Sequence, residues 1–389
     1  MDDARGSEVM AGWLGKHVDA VDTPALVVDL DAAERNLRRM AGFAAAHGMR
    51  LRPHGKMHKS AWFARLQMRA GAVGLCVQTV AEAEALAAGG IDDLYISNEV
   101  VSASKLSRVA ALARRLQARG GRLAIAVDSA EGVRRLAQAM APAGAAIDVF
   151  IELDVGQGRC GVAPGAPAVE LAHLLAAHAP SLRYAGLQAY HGGAQHLRTP
   201  AERRAAIERS ATLVRDTRRQ LDAAGLAPPL ITGAGTGSFA LEAASGLWGE
   251  IQVGSFLFMD ADYQRNQWDA AQPAFEPALF VKSQVISVGA ERAVVDAGHK
   301  SHAIDSGLPA VFALAGQAPL EFFNGGDEHG VLRPRDAGGA LPALGEAVWL
   351  IPGHCDPTVN LHNQYIVVRG GLTAGVVEAV VPVQARGVW

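Results

Sequence analysis

The chain has 389 residues, 50% of them hydrophobic, and a formal net charge of −3. This is enough for one large globular domain or two. The near-neutral charge argues against nucleic acid or an anionic membrane surface as partner, so a small polar molecule is expected instead. A polar N-terminus, the lack of any long apolar run and three scattered cysteines predict a cytoplasmic protein without a disulfide framework.

Short apolar runs alternate with helical segments through the first two thirds of the chain. Eight runs are predicted strands: residues 49–53, 73–78, 93–98, 122–128, 147–154, 185–191, 229–233 and 250–254. The longest predicted helix follows Thr199, where Pro200 and Glu202 supply a first-turn proline and a capping box, and Gly225 lies just past its end. Eight strand–helix units predict a (β/α)8 barrel, because open doubly wound sheets usually have fewer strands.

Other strand-like runs lie on either side of this repeat. One, residues 25–30, precedes the first unit. The others follow residue 275 and are separated by Gly, Pro and Asp turns: 278–287, 292–298, 346–353, 364–371 and 375–384. We therefore predict a barrel over residues 31–275 and a mostly β C-terminal domain over 276–389, with residues 1–30 packing on that domain.

The first barrel strand runs into RPHGKMHK, residues 52–59. Active sites of such barrels lie at the C-terminal ends of the strands. Side chains alternate along an extended strand, so Lys56 is predicted to point into the barrel mouth on the same side as His54, with Lys59 near the next helix. The alternative is a solvated basic turn, but lysine, unlike arginine, can act as an amine nucleophile.

A glycine-rich segment, TGAGTGS at residues 232–238, follows the seventh strand and precedes a helical stretch. Backbone N–H groups and hydroxyls in such a turn can hold a phosphate, and barrels bind phosphate after strands seven and eight. A plain tight turn is the alternative. The candidate phosphate ligands are Thr236, Gly237 and Ser238, with Gly254 and Ser255 after strand eight.

A second glycine-rich segment, GQGRCG at residues 156–161, matches the G-x-G-x-x-G of dinucleotide-binding folds. Two prolines delay the helix that should follow directly, and the segment lies in the fifth unit rather than the first. We therefore prefer a loop that places Arg159 in the barrel mouth over a nicotinamide site. The sixth strand ends in YHGG and brings Tyr190 and His191 to the same mouth.

The C-terminal region contains PGHCDPTVNLH, residues 352–362. His354 and Asp356 are two positions apart, which on a strand puts both on one face, while Cys355 points away. An imidazole and a carboxylate can share one cation, and two protein ligands completed by water suit Mn²⁺ or Mg²⁺ better than a closed zinc site. A structural His–Asp pair is the alternative.

Together these motifs, with ISNEVV at 96–101, resemble the D-threonine aldolase family, whose members are alanine-racemase-like enzymes with a barrel and a β domain. The resemblance extends from about residue 23 to the end. It implies that Lys56 binds pyridoxal phosphate covalently, that Arg159 donates to its pyridine nitrogen, and that Tyr190 and the two glycine-containing loops help to hold it. One departure is Ala234 where glycine is expected, which requires a negative φ.

The resemblance also implies the reaction. A divalent metal on His354 and Asp356 would assist the cleavage of D-3-hydroxy amino acids to glycine and an aldehyde, with His191 as the candidate base and His196 as a weaker one. The expected assembly is a homodimer. Two alternatives stay open: a dehydratase of D-serine or D-threo-3-hydroxyaspartate, whose D-serine branch carries cysteine where this chain has Asp356, and a non-catalytic carrier of pyridoxal phosphate.

Overall fold

Residues 12–270 and 272–387 are described by a computed structural model. The chain forms two compact units, each built around its own sheet. The first unit contains the described residues up to 39 together with 255–265 and 274–387, and the second contains 40–254 and the described part of 266–273. The first elements along the chain are strand β1 (Ala25–Asp29) and helix α1 (Leu30–Ala46).

Eight parallel strands form the sheet of the second unit. They are β2 Arg50–Leu51, β3 Leu75–Val77, β4 Asp93–Ile96, β5 Arg122–Val127, β6 Ile147–Glu152, β7 Leu182–Ala189, β8 Ile231–Gly233 and β9 Glu250–Ile251. Their order is β2-β9-β8-β7-β6-β5-β4-β3, and a parallel bridge between His54 and Cys76 joins the end of the β2 segment to β3. This confirms the predicted (β/α)8 barrel, and each strand lies within or overlaps its predicted run.

Helices follow the strands of the barrel. They are α2 Ala61–Arg69, α3 Val80–Ala88, α4 Ala103–Gln117, α5 Ala130–Met140, α6 Ala166–Ala176, α7 Pro200–Ala223 and α8 Phe239–Ser245, with 3-10 turns at Gly55–Met57, Ala141–Ala143 and Gly192–His196. Helix α7 has the predicted capping box, in which Thr199 and Glu202 exchange side-chain and backbone hydrogen bonds. Branched side chains such as Ile125, Val149 and Leu187 are buried between strands and helices, and each contributes roughly 1.5–3 kcal/mol to stability.

Part of the barrel interior is ionic. Arg52, buried after β2, donates to Glu250 of β9 at 3.1 Å and to Asp93 of β4 at 2.5 Å. Thr232 of β8 donates to the same Glu250 carboxylate at 3.0 Å. Buried charges are tolerated when they are paired and hydrogen-bonded. The network ties four strands together and fixes the chain that continues to Lys56.

The sheet of the first unit is mostly antiparallel. Its strands are β1, β10 Leu279–Val288, β11 Ala293–Val295, β12 Ala310–Phe312, β13 Leu320–Asn324, β14 Gly330–Pro334, β15 Ala347–Ile351, β16 Gln364–Arg369 and β17 Val376–Pro382. Short helices accompany it: α9 Ala261–Gln264, α10 Cys355–Val359, α11 Gly371–Ala374, and 3-10 turns at Val18–Ala20 and Ser255–Leu257. Strand β1 pairs with β10 and β16. Strands β12 to β14 were missing from the sequence prediction because they are short and bordered by glycine, proline and charged residues.

The two units divide the chain differently from the predicted boundaries. Residues 31–39 and 255–265 belong with the β sheet rather than with the barrel. The reason is that Asn36 of α1 donates to the carbonyls of Leu257 and Glu276 at 3.1 and 2.7 Å, which ties the start of the helix to the chain before β10. Residues 1–11 of the predicted N-terminal segment and residues 388–389 of the predicted β domain lie outside the described residues. No helix in the described ranges is long and apolar enough to cross a membrane.

Candidate active site

The segment that carries Lys56 is not an extended strand. Strand β2 ends early and the chain forms a 3-10 turn at Gly55–Met57. His54 caps this turn by accepting from the Lys56 N–H at 3.3 Å, and its other ring nitrogen lies 3.2 Å from Gln78 Oε1. Burial, and then the nearby Lys56 charge, hold the pKa of His54 well below its usual range. The strand-alternation argument was therefore wrong in its premise, and the direction of the Lys56 side chain stays a prediction.

Lys59 has a structural partner. Its ammonium group forms an ion pair with Glu82 of α3, and the two side chains are only 11% and 4% exposed. The other oxygen of Glu82 accepts from the Gln78 N–H at 2.7 Å and belongs to the capping box of α3 with Thr79. Lys59 holds the chain before α2 against α3 through this pair.

The GQGRCG loop is organised by a carboxylate. Asp154 Oδ1 accepts from the N–H groups of Gly156 and Gly158, each at 3.0 Å, and the bond from Gly158 is the main reason that the pKa of Asp154 is lowered. Both glycines, and Gly161, have positive φ, and a Cβ at Gly161 would overlap the Asp154 backbone. Helix α6 begins only at Ala166. The glycines thus serve a tight turn, which supports the loop interpretation over a dinucleotide site.

Arg159 lies among polar groups at the ends of β6 and β7. Its guanidinium carbon is 5.9 Å from the centre of the Tyr190 ring, and Nη2 is 3.9 Å from Glu152 Oε1. Burial, and then the neighbouring Glu99, raise the pKa of Glu152 to about 8. Gln188 donates to Glu152 at 2.7 Å. Burial and Glu99 thus disfavour the charged form of Glu152, which weakens its attraction to the Arg159 guanidinium.

His191 is half-buried after β7. Burial lowers its pKa, as does the charge of Arg209, so the imidazole is neutral at neutral pH. A Cβ at Gly156 would lie 3.2 Å from Nε2, while Nδ1 is buried without a hydrogen-bond partner in the part of the chain that the structure describes. His196, at the other end of the same 3-10 turn, is exposed. Of the two histidines, His191 has the environment of a base.

The TGAGTGS loop packs directly on Gln195. A Cβ at Gly235 would lie 2.5 Å from Gln195 Oε1, and one at Gly237 would overlap the Gln195 backbone, so both positions need glycine. The Gly237 N–H donates to Gln195 Oε1 at 2.9 Å, and the Ser238 N–H donates to the Gly235 carbonyl at 3.1 Å. The sequence assigned these two N–H groups to the phosphate, but both form hydrogen bonds within the protein. The Ser238 hydroxyl is therefore the better candidate for a contact with the phosphate.

Ala234 contradicts one expectation. Its φ is +66°, whereas the sequence argument required a negative value. The residue is fully buried directly after β8. Holding an alanine in this left-handed conformation costs roughly 1–2 kcal/mol, and such strain is often found at functional sites.

The remaining predicted cofactor residues fall in both units. Thr236 is buried, as is Ser238 two positions later. Gly254 is the last residue of the range 40–254 in the barrel unit, and a Cβ added at Gly254 would lie 3.3 Å from the Cβ of His54. Ser255 opens a 3-10 turn that belongs to the first unit. A complete phosphate cradle thus stays a prediction.

His354 and Asp356 are close together, but for a different reason from the one predicted. Strand β15 ends at Ile351, and Asp356 lies in the first turn of α10 with His354 as the N-cap. The strand-face argument is therefore wrong. The cap geometry nevertheless leaves His354 Nε2 3.8 Å from Asp356 Oδ1.

Asp260, which the sequence analysis missed, orients His354. This buried carboxylate lies 2.7 Å from His354 Nδ1 and also accepts from the N–H groups of Cys355 at 3.1 Å and Tyr263 at 2.9 Å. A hydrogen bond to Nδ1 keeps the proton there and presents the Nε2 lone pair for a metal. An imidazole and a carboxylate can share one divalent cation. No group of three or more His, Cys, Asp or Glu side chains placed to hold a metal is found within residues 12–270 and 272–387.

Known proteins match both units. The model of the alanine racemase N-terminal domain matches residues 28–262, and that of a putative serine dehydratase domain matches 278–368. The chain is 44% identical to a D-threonine aldolase from an Arthrobacter species, over 96% of this chain and 95% of the relative. It is 43% identical to a 3-hydroxy-D-aspartate aldolase from Paracoccus denitrificans, over 96% and 94%.

The chain also resembles a solved structure and a more distant relative. The crystal structure of D-threonine aldolase from Filomicrobium marinum has a TM-score of 0.90 and 47% identity, covering 97% of this chain and 98% of that one. A D-threo-3-hydroxyaspartate dehydratase from a Delftia species is 33% identical over 87% of this chain and 92% of its own.

Proposed function

Because the chain belongs to the family of the alanine racemase N-terminal domain, we propose that it is a carbon–carbon lyase of the D-threonine aldolase type. Its substrates would be D-threonine and related D-3-hydroxy amino acids, cleaved to glycine and an aldehyde. The observation that supports the proposal is that His354 Nε2 lies 3.8 Å from Asp356 Oδ1, so the candidate second metal ligand is a carboxylate rather than a thiolate. The greater identity to two aldolases than to the dehydratase supports the same choice.

The proposed cofactors are pyridoxal phosphate, whose proposed ligands lie in the barrel unit apart from Ser255, and Mn²⁺ or Mg²⁺, whose proposed ligands lie in the other unit. Pyridoxal phosphate supplies a conjugated ring that accepts the electron pair released at the substrate Cα. The buried, polar loop around Thr236 and Ser238 suits the phosphate, and the imidazole and carboxylate pair suits the cation. The proposed cofactor ligands are Lys56, Arg159, Tyr190, Thr236, Ser238, Gly254 and Ser255, and the metal ligands are His354 and Asp356.

Two barrel residues have defined chemical tasks in this proposal. His191 accepts the proton of the substrate hydroxyl, which must leave as that oxygen becomes an aldehyde carbonyl; its lowered pKa keeps it in the basic form at neutral pH. Arg159 donates a hydrogen bond to the pyridine nitrogen without transferring a proton, because guanidinium stays protonated. The raised pKa of Glu152 beside it means that this carboxyl opposes the Arg159 charge less than an ordinary carboxylate would.

Replacing His191 tests the base. We expect His191→Asn to lower kcat by roughly 10²–10⁴-fold, the usual contribution of a general base. The parent enzyme should lose activity on acidification only below the ordinary pKa range of histidine, because burial lowers the pKa of His191. The variant should lack this acid limb. His196→Asn is the matched control in the same turn and should keep both rate and profile; a larger effect there would assign the base to His196.

The stereochemistry gives a direct test of the proposal. With pyridoxal phosphate and Mn²⁺ present, D-threonine should yield glycine and L-threonine should not. The D preference rests on the resemblance to D-threonine aldolases, so glycine from L-threonine alone would refute the assigned substrate class.

The cellular and oligomeric expectations belong to the same proposal. We expect a homodimer in the cytoplasm, which analytical ultracentrifugation and cell fractionation would check. The carrier alternative is disfavoured because a carrier needs no oriented His–Asp pair, and this chain supports His354 with the buried Asp260.

A further inference from the structure

A buried carboxyl group that the proposed reaction does not use lies beside the TGAGTGS loop. Glu242 of α8 is 1% exposed. Ser238 Oγ lies 2.7 Å from its Oε1, and its Oε2 is buried with no hydrogen-bond partner within the described residues. Gln195 donates to the same Ser238 hydroxyl at 2.7 Å and accepts from the Gly237 N–H. The three side chains thus form a buried chain that ends on the loop backbone.

The charge of Glu242 is set by burial. Burial raises its pKa to about 7, opposed by the Ser238 hydroxyl and by the backbone of its own helix. Helix α7 and the Phe43 region of α1 pack near α8, but no charged side chain of the described chain affects this carboxyl appreciably. An ionised Glu242 would place negative charge on a buried carboxylate with only one hydrogen-bonded oxygen among the described residues, which costs more than burying the neutral acid.

The proton on Glu242 decides what Ser238 can donate to. A hydroxyl has one hydrogen and two acceptor lone pairs, and Gln195 already donates to one of these lone pairs. If Glu242 is ionised, it takes the single hydrogen of Ser238. If Glu242 is protonated, it donates to the second lone pair, and the Ser238 hydrogen is left for another acceptor.

We propose that Glu242 is a positioning residue for the cofactor phosphate and acts in its uncharged form, which directs the Ser238 hydrogen to a phosphate oxygen. The inference rests on the proposed cofactor. The neutral carboxyl also avoids a like charge beside the phosphate, whose second ionisation is largely but not fully complete at neutral pH. Neutral Glu242 therefore favours the bound phosphate through both a hydrogen bond and the absence of repulsion.

The consequence is a pH-dependent affinity. A bound dianion holds the proton on Glu242, so the affinity for pyridoxal phosphate should fall as pH rises through the titration of this carboxyl, by up to about tenfold per pH unit. Glu242→Gln keeps the size and the donor of the neutral acid but cannot ionise. The affinity of this variant for pyridoxal phosphate should therefore not show this decrease as pH rises.

The test is an equilibrium titration of the cofactor-depleted full chain with pyridoxal phosphate, followed by absorbance, between about pH 6 and 8.5. The ratio of Kd for the parent to Kd for Glu242→Gln cancels the ionisation of the phosphate and of the lysine. We expect this ratio to be constant at the acidic end and to rise by about tenfold or more toward the basic end. Glu208→Gln, on the exposed face of α7, should follow the parent.

A flat ratio would overturn the proposal for Glu242 while leaving the cofactor assignment intact. No binding by the parent at any pH would overturn the cofactor assignment and this inference with it. If Glu242→Gln does not fold, the parent protein can be tested alone. The ratio of its affinity for pyridoxal phosphate to its affinity for pyridoxal should shrink by up to about tenfold per pH unit above pH 7.5, where the phosphate is already a dianion. A ratio of affinities that does not change with pH would contradict the proposal.

Discussion

Lys56→Ala should abolish both lyase activity and the visible absorption of lysine-bound pyridoxal phosphate while leaving the protein folded. Lysine is the group that can bind the cofactor covalently, and because the Lys56 side chain is only partly buried, its truncation should change the free energy of unfolding by about 1 kcal/mol or less. Absorbance spectra and urea denaturation measure the two effects on the same samples.

Lys59→Ala is the matched control and should behave in the opposite way. It leaves Glu82 buried without its cation, which should lower the free energy of unfolding by about 3 kcal/mol. Below its unfolding transition, this variant should keep the absorption. A folded Lys59→Ala protein without absorption, beside a Lys56→Ala protein that retains it, would reverse the assignment of the two lysines.

Asp356→Ala should remove most of the activity without removing the pyridoxal phosphate absorption, because the proposed metal ligands and the cofactor lysine belong to different units. Loss of the metal should lower kcat by at least about 10²-fold, since a bound cation contributes several kcal/mol to stabilising charge in the transition state. A chelator should reproduce the effect in the parent, and added Mn²⁺ should reverse it there but not in the variant.

Asp260→Asn should weaken metal binding without abolishing it, and should therefore lower activity less than Asp356→Ala does. Loss of the carboxylate that orients His354 should weaken Mn²⁺ binding by about 10–100-fold, as measured by calorimetry, and excess Mn²⁺ should restore the rate. Asp305→Asn, an exposed acidic position in the same unit, is the control. Equal Mn²⁺ affinity in Asp356→Ala and the parent would show that the His354–Asp356 pair is not the metal site.

Local patterns in the sequence predicted the elements well. The capping box at Thr199 and Glu202 and the eight barrel strands follow from hydrogen-bonding residues and apolar runs that are neighbours in the chain. The position of the His354–Asp356 pair was also predictable, although the supporting element is a helix cap rather than a strand. Local patterns do not show where a strand gives way to a 3-10 turn, so the strand argument for Lys56 failed.

Partners that are distant in sequence were beyond this kind of prediction. Asp260 meets His354 across 94 positions, and only the folded sheet brings them together. Gln195 likewise contacts the TGAGTGS loop from 42 positions away. Glu242 is only four positions from Ser238, but its burial was not evident from the sequence. Glu152 did carry a signal, a carboxylate among the apolar residues of β6, but its raised pKa depends on its burial beside Glu99.

Product analysis with D-threonine tests the central claim most directly. The parent enzyme with pyridoxal phosphate and Mn²⁺ should form glycine and acetaldehyde in equal amounts, because the proposed reaction breaks the Cα–Cβ bond. Formation of 2-oxobutanoate and ammonia would show instead that the hydroxyl is expelled, and would make the protein a dehydratase.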